Sequence, residues 1–253
     1  MVRLGQNFLA DTNLLDAIAA DAEVALEDVV LEVGGGEGAL TQRLAPLAAH
    51  VHVVELDQRL RGPLGDLAAE HPNVELMWGD AMRVDLGALD PEPTAVVSNL
   101  PYSIATPLLL RTIRELPRVA SWTVLVQREI ADRLRTGPGS RVYGAPSVLV
   151  QLSCEVELRR GVDRAVFRPR PRVDSALIRL TRRGPPAPAG LVRLVRDAFA
   201  HRRKALAGSL ELARGPSRER ARSALSAIGL PQDARAEMLS PEDFVRLWEK
   251  LSG

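Results

Sequence analysis

Through the first two-thirds of the chain, short apolar runs alternate with amphipathic stretches. Val29–Val33, Val51–Leu56, Val74–Trp78, Ala95–Val97 and Trp122–Val126 are valine-rich and too short for buried helices, so they predict buried strands. Leu40–Leu47 and Leu108–Leu116 repeat apolar residues at helical spacing. Strand and helix in alternation imply right-handed crossovers and a mostly parallel sheet covered on both faces, an α/β architecture. After Val142 the pattern changes. Leu152–Arg159 and Val173–Thr181 predict two more strands, an added antiparallel pair joined through Phe167-Arg168-Pro169-Arg170-Pro171. Arg182 to Gly190 holds Pro185, Pro186, Pro188 and two glycines, which no regular element sustains. The expected division is therefore a domain over 1–181, a linker over 182–189 and a helical domain over 190–253. In the latter, Leu191–Leu210 has helical periodicity. Ser240-Pro241-Glu242-Asp243 starts another helix with an N-cap serine, proline at the first position and acids in the first turn. Phe244, Leu247, Trp248 and Leu251 then share one face, as core residues do.

Composition narrows the class. Hydrophobic residues make up 46 % and charged residues 26 %, as in soluble globular proteins. No apolar run approaches the roughly 20 residues of a membrane span, and Met1–Asn7 reads as no signal peptide. Cys154 is the lone cysteine, a small buried hydrophobe by expectation, so a reducing cytoplasm is the expected location. The net charge of +1 is unevenly spread: residues 168–222 carry 15 basic and 4 acidic side chains. A general preference for arginine explains why only Lys204 and Lys250 are lysines, but not the shortage of acids in this stretch. Such a surplus suits a polyanion. Arg168, Arg170 and Arg172, and then Arg202, Arg203 and Lys204 on the expected first helix of the C-terminal domain, are the predicted nucleic-acid contacts. No metal site is expected.

Chemistry concentrates at the predicted strand ends. Val29–Val33 runs into Gly34-Gly35-Gly36-Glu37-Gly38, a loop where backbone can approach a ligand and where the following helix start favours a carboxylate. Gly34, Gly36 and Gly38 are thus expected to hold a cofactor, although Gly34, Gly36 and Ala39 equally satisfy a dinucleotide G-x-G-x-x-A. Glu55 ends the second strand, where a carboxylate accepts from ribose hydroxyls, and Asp80 ends the third, where it can accept from an adenine amine. Together they point to an adenosine-bearing cofactor without separating NAD from S-adenosylmethionine. Asn99-Leu100-Pro101-Tyr102 makes that separation. An adenine amine is a poor nucleophile because its lone pair is delocalised into the ring. The Asn99 oxygen and a backbone carbonyl near Leu100, gripping its hydrogens, favour the tetrahedral nitrogen that attacks a methyl group. Pro101 fixes the backbone without a competing N–H, and Tyr102 offers a face to an unstacked base.

At these residues the chain resembles the ribosomal RNA adenine dimethyltransferase family. The resemblance runs from Gly5-Gln6-Asn7-Phe8-Leu9 through Glu32–Thr41, Val54–Asp57, Gly79-Asp80-Ala81 and Asn99–Tyr102. It continues through Phe167–Ala176 to Phe199–Leu206. It implies a Rossmann-like S-adenosylmethionine-dependent methyltransferase domain with a small all-helical C-terminal domain. It also implies cofactor contacts at Asn7, Leu9, Gly34, Glu55, Asp80 and Asn99, and a target adenine sandwiched between Tyr102 and Phe167. The implied substrate is a pair of adjacent adenines near the 3′ end of small-subunit rRNA, alone or in a subunit precursor, and the implied enzyme is a monomer. Gly35 stands where family members often carry proline, a change that would loosen the turn. Ser103-Ile104-Ala105-Thr106 departs at its first and third positions, where Asn and Ser are frequent. Three other readings stay open: the sister group that methylates large-subunit rRNA and confers macrolide resistance, a non-catalytic ribosome-assembly factor on the same fold, and an NAD-dependent oxidoreductase.

Overall fold

The computed structural model describes residues 7–9 and 11–253; Gly5 and Gln6, which open the first motif, lie outside the described residues. In chain order the strands are β1 (Phe8–Leu9), β2 (Val29–Val33), β3 (His50–Glu55), β4 (Val74–Trp78), β5 (Ala95–Asn99), β6 (Ser121–Gln127), β7 (Cys154–Val162), β8 (Phe167–Arg168) and β9 (Ser175–Arg182). The helices are α1 (Thr12–Ala22), α2 (Thr41–Leu44), α3 (Arg61–Glu70), α4 (Ala105–Glu115), α5 (Arg128–Arg135), α6 (Ala145–Gln151), α7 (Ala189–Phe199), α8 (Leu206–Leu212), α9 (Arg218–Ala227) and α10 (Pro241–Ser252).

A seven-stranded sheet in the order β4-β3-β2-β5-β6-β9-β7 organises the first compact unit, Met1–Ala131 with Glu155–Arg182. The pairs β4–β3, β3–β2, β2–β5 and β5–β6 are parallel, and β9 returns antiparallel against β6. This is the Rossmann-like α/β architecture that the alternation of strand and helix predicts. Every residue of β2 is buried, as expected of a central parallel strand covered on both faces, whereas β7 at the edge is largely open. Leu15 and Ile18 of α1 pack with Val30, Val53 and Val97 of the sheet in one apolar core. The connection between β7 and β9 is not a plain link. Its Phe167–Arg168 pairs antiparallel with Phe8–Leu9, a two-stranded ribbon that ties the start of the chain to the segment before β9.

The second unit comprises Asp132–Cys154 and Arg183–Gly253. A single cut near residue 182 separates sequence patterns, but 132–154 belongs with the helices for a packing reason. Tyr143 is fully buried, its hydroxyl donates to the Leu239 carbonyl at 3.0 Å, and its ring meets Phe199 edge-on at 6.1 Å. Phe199 in turn lies 5.9 Å from Phe244 of α10. Ser240 caps α10 by accepting from the Asp243 N–H, and Phe244 and Leu247 are buried as the one-faced pattern predicts.

The periodic stretch Leu191–Leu210 is two helices rather than one. Ser209 breaks it, donating to the Asp197 carbonyl at 2.7 Å and accepting from the His201 N–H at 3.2 Å. Arg202, Arg203 and Lys204 therefore sit in the turn between α7 and α8, not on the first helix of the unit. Among the described residues no helix is long and apolar enough to cross a membrane.

Candidate active site

The carboxyl ends of β2, β3, β4 and β5 open onto a cavity of about 280 Å³ in the first unit, completed by Asn7–Leu9. Crossover loops leave these ends with free backbone N–H groups, and the loop after β2 shows how the sequence exploits them. Gly34 and Gly36 take φ of +82° and +59°, which side chains disfavour, and the Gly34 N–H donates to the Val54 carbonyl at 2.8 Å. Gly38 does not line the cavity. A Cβ there would stand 2.7 Å from Leu67 Cδ1, so this glycine lets the loop lie against α3. Gly35 is also tightly packed rather than loose: an added Cβ would come within 2.4 Å of Val53 Cγ1.

Glu55 is buried, and both carboxylate oxygens are held, one by the Gly36 N–H at 3.0 Å and the other by the Asp57 N–H at 2.7 Å. Asp80 accepts from the Met82 N–H at 2.9 Å. The loop carrying it is fixed by Arg111 of α4, which donates to the Ala81 and Val84 carbonyls, both at 2.6 Å. Each acid thus points lone pairs that a ligand's hydroxyl or amine can use.

Asn99 ends β5, and its Nδ2 donates to the Asn7 carbonyl at 3.2 Å. With the amide nitrogen engaged, that bond assigns Oδ1 as the free acceptor. Leu100 is buried and its N–H donates to the Leu125 carbonyl, while the Pro101 carbonyl accepts from the Ile104 N–H. Tyr102 is half-buried and hydrogen-bonded to Ser175 Oγ at 2.7 Å, and burial raises its pKa, so the ring stays neutral and fixed. Phe167 does not join it. That ring is 2 % exposed, opposite Leu9 in the ribbon and within the apolar core, and it does not line the cavity. The implied sandwich of Tyr102 and Phe167 is not formed in this structure.

Glu32 lines the cavity and was not singled out from sequence. It is fully buried, accepts from the Thr41 hydroxyl at 2.6 Å, and burial pushes its carboxyl up to about 8. The available signal was a lone acid inside an otherwise apolar strand, Val29-Val30-Leu31-Glu32-Val33.

Of the predicted RNA contacts, Arg168, Arg170 and Arg172 are exposed on and just after β8. In the second unit Arg203 and Lys204 are also exposed. Arg202 is exposed but engaged: its Nη2 donates to the Arg141 and Tyr143 carbonyls at 3.0 and 2.9 Å and lies 3.6 Å from Glu237.

The family model described as ribosomal RNA adenine dimethylase matches residues 2–252. Ribosomal RNA small subunit methyltransferase A of Rubrobacter xylanophilus is 45 % identical over 252 residues, spanning 99 % of this chain and 94 % of its own. Among solved structures, a dimethyladenosine transferase from Plasmodium falciparum superposes with a TM-score of 0.81 at 26 % identity, covering 95 % of each chain. The 23S rRNA methyltransferase ErmE superposes with a TM-score of 0.72 at 33 % identity, covering 98 % of this chain and all of that one.

Proposed function

The chain belongs to the ribosomal RNA adenine dimethylase family, and on that premise we propose that it methylates N6 of two adjacent adenines in small-subunit rRNA, supporting ribosome biogenesis. The observation that carries this reading is Asn99, whose amide nitrogen is bound to Asn7 so that Oδ1 is left to accept from an exocyclic amine.

The cavity suits S-adenosylmethionine on its own geometry. Gly34 and Gly36 form a cradle of left-handed backbone, the buried Glu55 carboxylate suits a ribose diol, and Asp80 suits an adenine amine. Asn7 and Leu9 close the side formed by the chain's start. Once bound there, S-adenosylmethionine supplies a sulfonium-activated methyl group to the nucleophilic nitrogen. Asn99 Oδ1 and a backbone carbonyl near Leu100 hold the N6 hydrogens and favour the tetrahedral nitrogen. Pro101 keeps that backbone in place, and the Tyr102 ring, anchored on Ser175, supports the base from one face. No dedicated general base is required, because the methylated ammonium is acidic enough to release its proton to solvent.

Arg168, Arg170, Arg172, Arg203 and Lys204 contact phosphate, so RNA binding weakens with added salt. Arg202, held through Nη2 by two carbonyls, has Nε and Nη1 left to join them. The enzyme works as a cytoplasmic monomer on a small-subunit precursor. The test is primer extension on ribosomal RNA from cells with and without the protein. Stops at neighbouring adenines of the small-subunit RNA that vanish without it support the reading. Stops lost from the large-subunit RNA would transfer it to the sister group that ErmE represents.

A further inference from the structure

Three side chains converge near the amino ends of β3 and β4, on the same strands as the cavity but at the other end of the sheet. His50 opens β3, and His52 follows two residues later, so both imidazoles leave the strand on one face. Glu75 of β4 is the cross-strand partner of His52. His52 Nδ1 lies 3.1 Å from Glu75 Oε2, His50 Nε2 lies 3.4 Å from the same oxygen, and the two rings are 4.3 Å apart.

The protons decide what this cluster is for. His52 Nε2 is 2.8 Å from the Pro91 carbonyl, which can only accept, so that nitrogen carries a hydrogen. In a neutral ring Nδ1 then presents a lone pair to a carboxylate oxygen, acceptor against acceptor. His50 Nε2 is itself buried and has no hydrogen-bond partner. His52 Nδ1 and Glu75 Oε2 therefore face each other as acceptors, with the buried, unpartnered His50 Nε2 beside them.

We propose that His50 Nε2, His52 Nδ1 and Glu75 Oε2 form a binding site for a divalent transition-metal ion of the zinc class. Bonds of about 2.0–2.1 Å in a tetrahedron place ligand atoms about 3.3–3.4 Å apart. The two distances to Glu75, 3.1 and 3.4 Å, already match that edge, and all three ligand atoms lie within 4.8 Å of one another. The Pro91 carbonyl acts as the outer partner that orients a metal-bound histidine through its other nitrogen. Two imidazoles and one carboxylate select zinc over magnesium or calcium, which take oxygen ligands. Glu75 is 56 % exposed at its side chain, which leaves the fourth position to water. None of the three lines the cavity, and His50 stands about 16 Å along β3 from Glu55, so the site is structural. An ion there clips edge strand β4 to β3 and, through His52, to the segment that enters β5. No metal site was expected from the sequence, because a His-x-His pair on one strand and a glutamate on the next form no linear motif.

The test titrates chelator-stripped protein with zinc chloride by calorimetry, alongside magnesium chloride, and follows cobalt(II) by absorption. One zinc ion per chain, a raised melting temperature with zinc but not magnesium, and visible ligand-field bands of tetrahedral cobalt are expected. Glu75→Gln and His50→Gln alter partly exposed positions and should each weaken zinc at least about tenfold while leaving the metal-free melting temperature in place. His71→Gln and His201→Gln should leave zinc binding unchanged. Zinc binding no tighter than magnesium, undiminished binding in both ligand variants, or wild-type protein without tetrahedral cobalt bands would each overturn the site.

Discussion

The two ends of β3 and β4 handle polar groups in opposite ways. At the carboxyl ends, backbone donors reach the acids: Glu55 accepts from the N–H groups of Gly36 and Asp57, and Asp80 from that of Met82. At the amino ends, His50 and His52 both approach the Glu75 carboxylate, and the Pro91 carbonyl orients the His52 ring. The difference follows from where free N–H groups occur. Strands that hand over to loops turn unpaired N–H groups back onto their own ends, and such a pocket suits hydroxyl and amine donors. The opposite ends gather two imidazoles, a carboxylate and a backbone carbonyl, and groups of this kind suit a cation. One strand can thus carry two sites of unlike chemistry without either being built from the other.

The sharpest way to break this contrast is to remove the acceptor at the carboxyl end. Asn99→Ala is expected to lower turnover at saturating substrates by about 10²–10³, or roughly 3–4 kcal/mol, because the grip on N6 matters most as the nitrogen becomes tetrahedral. Near-normal turnover at saturating substrates would make Asn99 a structural residue that merely secures Asn7. Glu55→Ala comes next. Losing a preset, charge-assisted acceptor should weaken S-adenosylmethionine by about 1.5–3 kcal/mol in calorimetry, and an unchanged affinity would remove Glu55 from the ribose.

Glu32 is the exception at its own end, with a hydroxyl rather than a backbone donor, and it yields an effect of defined sign. Its carboxyl is held up to about 8 by burial, whereas the unfolded chain ionises near 4.5. Between these values the unfolded chain has released a proton that the native chain keeps, so the contribution of Glu32 to stability falls as pH rises from about 4.5 to about 8. Glu32→Gln removes that slope. The stability of the variant relative to wild type, from urea unfolding, should therefore rise steadily between pH 5 and pH 8. A difference that stays constant would mean that Glu32 is ionised in the fold.

How far the two ends could be read in advance differs for the same physical reasons. Glycines before a helix, an acid ending β3, an acid just after β4 and Asn-Leu-Pro-Tyr closing β5 recur in chain order, so sheet, cavity and most lining residues were legible. Where Gly38 and Phe167 sit was not legible, because spacing along a chain does not say which side of a loop faces a neighbour. Gly38 turns to Leu67, and Phe167 is drawn into the core by its pairing with Leu9. The turn at Arg202–Lys204 was hidden because Ser209, which closes it, looks like any residue of a continuous helix. The boundary near residue 132 depends on where Tyr143 buries its ring, a tertiary fact that periodicity does not carry. The histidine cluster depends wholly on strand order and register, with His52 opposite Glu75.

The smallest expected effect is the coupling between the two ends. Glu55 and His50 are the last and first residues of β3, about 16 Å apart, and no residue is shared between the lining of the cavity and the histidine cluster. Sites beyond about 7–10 Å without common partners add within about 0.3–0.5 kcal/mol. Glu75→Gln should therefore leave S-adenosylmethionine affinity unchanged, Glu55→Ala should leave the zinc-dependent rise in melting temperature unchanged, and the double variant should lose both in full. Linkage demands the reciprocal: cofactor affinity measured with and without zinc should agree within the same margin. The same rigidity that makes β3 a good platform argues for this outcome, since a buried strand paired on both sides has no second register through which to relay a change. A coupling above about 1 kcal/mol would show that the strand does shift between two arrangements. The amino-end cluster would then be a control point for the active site rather than a separate clip.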